Sequence, residues 1–144
     1  MKNILIIFLI LNYIFIQANS IDSLTHLLYE SPDSIKVALY QELMAAYQDV
    51  DFSQSLLLGQ EAIAMADSHK NEKWKAKIYI ALGNVYHKKS NYDKSIEYYE
   101  KAKDLFFTTN DTTAILTICN NLGTTYTDKG EYAKSQRLLF AGLK

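Results

Sequence analysis

"ALGNVYHKKSNYDKSIEYYEKA", Ala81–Ala102, and "NLGTTYTDKGEYAKSQRLLFAG", Asn121–Gly142, carry one pattern twice. Leu82-Gly83 returns as Leu122-Gly123, Tyr86 as Tyr126, Tyr92 as Tyr132, Lys94 as Lys134 and Ser95 as Ser135, each 40 residues on. A fixed period of this length marks an array of repeats, in which each unit buries its apolar face only against its neighbours. A worn copy lies upstream in "YQELMAAYQDVDFSQSLLLGQEA", Tyr40–Ala62. Leu43-Met44 stands there for Leu-Gly, Tyr47 for the first tyrosine and Phe52 for the second. Ser55 and Ala62 lie 40 before Ser95 and Ala102, but the helix before them is offset by 39. One residue is therefore missing from the turn near Asp51.

Each copy reads as two helices. Ile78, Tyr79, Leu82, Tyr86 and the stem of Lys75 recur at three and four residues and make one helical stripe. Ile96, Tyr99, Ala102, the stem of Lys103 and Phe106 make the next. Asn91 is placed to cap the second helix, and Gly130 suits a helix C-terminal turn. Ser31-Pro32-Asp33 reads as N-cap, first helical proline and first-turn acid. Gly83 and Gly123 on one helix, and Ser95 and Ser135 on the other, remove bulk where two backbones approach. Ala102 and Gly142 do so toward the following copy, and the tyrosines fill the space beside these gaps.

The composition agrees with a helical array. The 144 residues suit one domain, and only one proline and five glycines interrupt them. A net charge of −1 gives no electrostatic footprint for nucleic acid. The single cysteine, Cys119, excludes an internal disulfide and a thiolate metal cage. The start of the chain stands apart. A short basic opening, Met1-Lys2-Asn3, precedes an apolar run, Ile4–Ile16, that is too short to span a bilayer. Ala18 and Ser20 follow where a signal-peptidase site needs small residues, so residues 1–20 read as a cleavable export signal. The mature chain then begins at Ile21, outside the cytoplasm. It does not bind a membrane unless residues 4–16 are retained as an anchor.

The pattern resembles the tetratricopeptide repeat, W-x2-L-G-x2-Y followed by A-x3-F and P. Tyr79 takes the tryptophan place, then come Leu82-Gly83, Tyr86, Ser95, Tyr99 and Ala102. Phe107 stands where the proline would, Cys119 and Gly59 replace aromatics, and the period is 40, longer than the usual 34. The resemblance implies an all-α solenoid: antiparallel helix pairs stacked into a right-handed superhelix of about three repeats. The layout expected is a lead-in helix over 21–31, a degenerate repeat over 32–70, a second over 71–110 and a third over 111–144. In "SQRLLFAGLK", Leu138, Leu139, Phe140, Ala141 and Leu143 leave the last helix apolar almost all round, so the third repeat reads as truncated. The long period is similar to arrays of exported bacterial signalling proteins, where a membrane span and a kinase, cyclase or regulator output follow.

No motif supports catalysis. His26, His69 and His87 lack metal-ligand spacing and read as surface or rim residues. Phosphate-loop and nucleophile-turn signatures are absent, and no cofactor is expected. Cys119 reads as an inert thiol on a buried helix face. Tyr79, Tyr86, Tyr92, Tyr99, Tyr126 and Tyr132 stand at repeat-defining places and read as packing residues. One constellation remains. In such arrays the first helices line a concave groove, and here that face carries Gln41, Gln48, Lys77, Asn84, His87, Lys88, Asn120, Thr124 and Thr127. Asn84 and Asn121 resemble the two asparagines of a carboxylate clamp, but Ile80 replaces its lysine. The expectation is a non-catalytic scaffold that holds a protein or peptide in this groove. The alternative is the sensor portion of a larger signalling protein.

Overall fold

The computed structural model describes residues 20–109 and 111–141, with side chains described through Leu138. The segment expected to be an export signal, apart from Ser20, and the side chains of the apolar end of the last helix therefore lie outside the described residues. Among these residues there are seven helices and no strand: α1 (20–30), α2 (Asp33–Tyr47), α3 (Phe52–Ser68), α4 (Glu72–Lys88), α5 (Tyr92–Thr109), α6 (Thr112–Asp128) and α7 (Tyr132–Ala141). The fold is an all-α helical solenoid. Consecutive helices from α2 to α7 pack side by side, and α2 also touches α4 directly.

Short polar caps start most of these helices. Oδ1 of Asp51, Asn71, Asn91 and Asp111 accepts from the N–H of Gln54, Trp74, Lys94 and Ala114, at 3.0, 3.0, 3.3 and 3.2 Å. Each bond satisfies one of the orphan donors of a first turn. At α2 the expectation needs correction. Pro32 itself holds the cap position at φ −65°, ψ 152°, and no side chain caps the helix. A proline has no N–H to satisfy and is preset to that φ, so the helix begins one residue later than the Ser31 reading implied.

The turns explain the missing residue. After α4, Ser90 is left-handed at φ 57° and Asn91 N–H reaches back to Tyr86 O at 2.9 Å. After α6, Gly130 at φ 85° and Glu131 N–H on Tyr126 O at 2.7 Å repeat that closure. After α2 the chain has one residue fewer. Asp51 N–H bonds Tyr47 O at 2.8 Å, and no residue there has a positive φ. The deletion removes the left-handed step and keeps the next helix antiparallel.

Two core clusters meet at α4. One joins Ile21 and Leu28 of α1 to Val37, Leu43 and Met44 of α2, Leu58 and Ala62 of α3, and Ile78, Leu82 and Val85 of α4. The other joins Ala76, Tyr99, Ala102, Phe106, Ile118 and Leu122. Burial of one such large apolar side chain is worth about 1.5–3 kcal/mol. Close approach inside each pair depends on size matching. A Cβ on Gly83 would lie 2.5 Å from the Tyr99 ring, so glycine on α4 makes room for tyrosine on α5. In the worn repeat Met44 holds the α2 place, and Gly59 of α3 makes room for it and for Leu82 of α4: a Cβ there would lie 3.1 Å from Met44 Cε and 2.7 Å from Leu82 Cδ2. Ser55 and Ser135, both buried, donate to Met44 O and Gly123 O at 2.8 Å, which fixes the two backbones of each pair at close range.

Two packing expectations need correction. Tyr132 is 65% exposed, although Tyr92 at the same place is half-buried. Tyr92 packs edge-on against His87 at 5.6 Å, and the residue 40 after His87 is the much smaller Thr127. Cys119 is half-buried, with its thiol pKa raised by partial burial.

Candidate functional site: the face of α2, α4 and α6

Helix α4 is tied to α2 beside it and, at its two ends, to α6. Gln41 Nε2 donates to Lys77 O at 3.2 Å, joining α2 to α4. The Lys73 ammonium lies 2.9 Å from Asp111, joining the start of α4 to the cap of α6. That hydrogen bond, with the one from Ala114 N–H, holds the Asp111 carboxyl below its ordinary range. At the other end, His87 Nε2 lies 2.9 Å from Asp128 Oδ2. The first helices of the three repeats thus present one common face.

The ten residues expected on this face divide into two groups. Lys77, Asn84, Lys88, Asn120, Thr124 and Thr127 are exposed. The others are partly or wholly spent inside the fold. Gln41 holds the α4 backbone, and His87 is half-buried against Tyr92 and Asp128. Gln48 sits half-buried at the C-cap of α2. Thr127 is exposed but its hydroxyl is engaged, 2.9 Å from Gly123 O of its own helix and from Ser135 Oγ of α7. Lys88 stands 3.9 Å from Asp49, a weak surface pair across the α2–α4 seam.

The two asparagines do not stand at equivalent places. Asn84 has Thr124 as its counterpart one period on, whereas Asn121 stands at the place of Ala81, which is 7% exposed. Asn121 is accordingly half-buried, and its carbonyl accepts from Thr125 Oγ1 at 2.8 Å. Asn84 Oδ1 accepts from the Tyr99 hydroxyl at 2.5 Å. Burial of Tyr99 pushes its pKa up to about 12, so this hydroxyl stays a donor at any ordinary pH. The bond fixes the amide so that its NH2 group is the part left for a ligand.

Sequence reasoning missed a second feature, an aromatic ladder on the opposite side of α4. Tyr98 stacks on Tyr86 at 5.5 Å and 11°, and tilts against Tyr79 at 5.9 Å. Phe52 meets Tyr86 edge-on at 5.6 Å, and Lys101 Nζ lies 4.9 Å from the Tyr98 centroid. Tyr98 and Lys101 are one helical turn apart on α5, which was the available signal. Among the described residues no three His, Cys, Asp or Glu side chains could hold a metal ion, and no helix is long and apolar enough to cross a membrane.

Residues 74–139 match the family model described as Tetratricopeptide repeat. Over that stretch the chain is similar to tetratricopeptide repeats. Such repeats are scaffolds for protein–protein interaction, typically without catalysis of their own. A comparison with curated proteins gives no match.

Proposed function

We propose that this chain is a non-catalytic scaffold that takes a peptide segment of a partner protein along the face of α2, α4 and α6. One observation carries the reading: Lys77, Asn84, Asn120 and Thr124 stay exposed on two successive first helices, α4 and α6, that ion pairs join at both ends. Backbone amides and carbonyls of an extended peptide need such amide and hydroxyl partners. Because Asn84 and Asn121 stand at inequivalent places, the groove contacts the body of a peptide and not a terminal carboxylate.

The same proposal includes export. Residues 1–20 act as a cleaved signal, residues 21–144 form the repeat domain, and the scaffold works in the periplasm or outside the cell. N-terminal sequencing of exported material begins at Ile21 on this reading, and a retained Met1 in membrane fractions rejects cleavage. The alternative, the sensor portion of a signalling protein, rests on the 40-residue period and predicts a span of roughly 20 apolar residues downstream in the same reading frame.

The groove is tested by selecting peptides from a random library on the purified protein and mapping them by NMR. Shifts should concentrate at Lys77, Asn84, Asn120 and Thr124. The triple variant Lys77→Glu, Asn120→Ala, Thr124→Ala keeps its urea midpoint and loses retention of those peptides. Equal retention by this variant overturns the assignment of the groove.

A further inference from the structure

A cavity of about 230 Å³ lies in the first repeat, beneath α1 and between α2 and α3. Its walls include Tyr40, Leu43, Tyr47, Gln54, Leu58 and Glu61. In the repeat register these are the places of Tyr79, Leu82, Tyr86, Lys94, Tyr98 and Lys101. The cavity is therefore the first repeat's version of the aromatic ladder. In the second repeat the space between the two α4 tyrosines is filled by the Tyr98 ring, with the Lys101 ammonium over it. In the first repeat the ring is gone, because Leu58 stands there, and the cation is gone, because Glu61 stands there. Both tyrosines of the sandwich, Tyr40 and Tyr47, are kept.

We propose that this cavity binds an aromatic ring carrying an ammonium group. The chain shows the fit itself, since the second repeat supplies that chemistry from its own α5. Loss of Tyr98's counterpart leaves room, and a cavity of roughly 150 Å³ already holds benzene in another protein. The change from lysine to Glu61 puts a carboxylate where a cation was, so the site attracts a positive ligand instead of providing the charge. Lys36, the cation on the rim, is held by Asp33 at 2.9 Å and is thereby partly neutralised. Leu28 from α1, Leu43 and Leu58 form the apolar lining. The site lies on the other side of the first helices from the peptide groove and does not depend on it.

Tyramine, a phenol with an ammonium two carbons away, is the probe. Titrated into the purified protein, it should shift the NMR resonances of Tyr40, Leu43, Tyr47 and Leu58. 4-Ethylphenol, which lacks the charge, and butylamine, which lacks the ring, should each bind more weakly. Leu58→Tyr restores the internal ring and should abolish tyramine binding while raising the melting temperature. Glu61→Gln, at an exposed position where folding is not at risk, should weaken tyramine about two- to fivefold, the range expected of an exposed ion pair. A blocked Tyr-Ala-Ala-Lys peptide, which copies the spacing of Tyr98 and Lys101, separates the two sources of this chemistry. Tighter binding of the peptide assigns the site to a protein segment, and tighter binding of tyramine assigns it to a free aromatic amine. Absence of tyramine shifts at these residues overturns the proposal, as does undiminished binding by folded Leu58→Tyr or by Glu61→Gln.

Discussion

Gly83→Ala is the most direct test of how the second repeat is assembled. Helix propensity alone favours alanine by about 1 kcal/mol. The packing opposes it. The new Cβ would lie 2.5, 2.6 and 2.9 Å from three carbons of the Tyr99 ring. Carbon atoms rest at about 3.5–4.0 Å, so the ring must recede by about 1 Å. It has little room to do so. Tyr99 is 2% exposed, and its hydroxyl is tied to Asn84. Overpacking of this kind costs about 1–3 kcal/mol. The two effects leave a net loss of up to about 2 kcal/mol, and Gly83→Leu should lose more. Urea unfolding followed by circular dichroism reads the midpoint shift, with an unchanged slope confirming that stability alone has moved. Lys88→Leu, at an exposed site, should stay within about 0.5 kcal/mol. The sharper measurement is a cycle with Tyr99→Leu, in which removing the ring should let Gly83→Ala recover its propensity gain. Stabilisation of the otherwise unaltered protein by Gly83→Ala would refute the Gly83–Tyr99 contact, and so would additive effects in the cycle.

Two further outcomes follow from the turns and the surface. Ser90 adopts φ 57° where Gly130 adopts φ 85°, so Ser90→Gly should stabilise by about 0.5–1 kcal/mol and Gly130→Ala should destabilise by a similar amount, both read from urea midpoints. Glu97 is held down to about 2 by hydrogen bonds from Lys101 and Lys94, against an ordinary value of 4.5. A depressed carboxylate adds stability above its unfolded pKa, and that contribution is lost as pH falls through the folded value. Melting temperatures should therefore drop from pH 5 toward pH 2, and Glu97→Gln should flatten part of that fall, by less than about 1 kcal/mol because the pair is solvent-exposed.

The helix pairs and their register were legible in the chain itself. Leu82-Gly83, Tyr86 and Ser95 recur at a fixed spacing, and helical periodicity turns that spacing into which residues share a face. Asn91 and Gly130 were readable for the same reason, because a cap or a left-handed turn is a local event governed by one residue and its immediate neighbours. The site was less legible. The spacing placed Thr127 on the groove face, where it is exposed, but its hydroxyl also meets Ser135 Oγ, and that contact depends on how closely α7 approaches. Tyr132 kept the repeat pattern yet lost its burial, because the partner at the place of His87 had become Thr127. The change from Gly83 and Tyr99 to Met44 and Gly59 is also a relation between helices: either member alone looks like a departure from the pattern, and only the packed structure shows that Gly59 makes room for Met44 and for Leu82 of the next repeat. Local sequence determines what a helix and its ends do. Which side chain fills a gap, and which gap stays open as it does beside Leu58, is decided where two helices meet, since steric fit is a property of the pair.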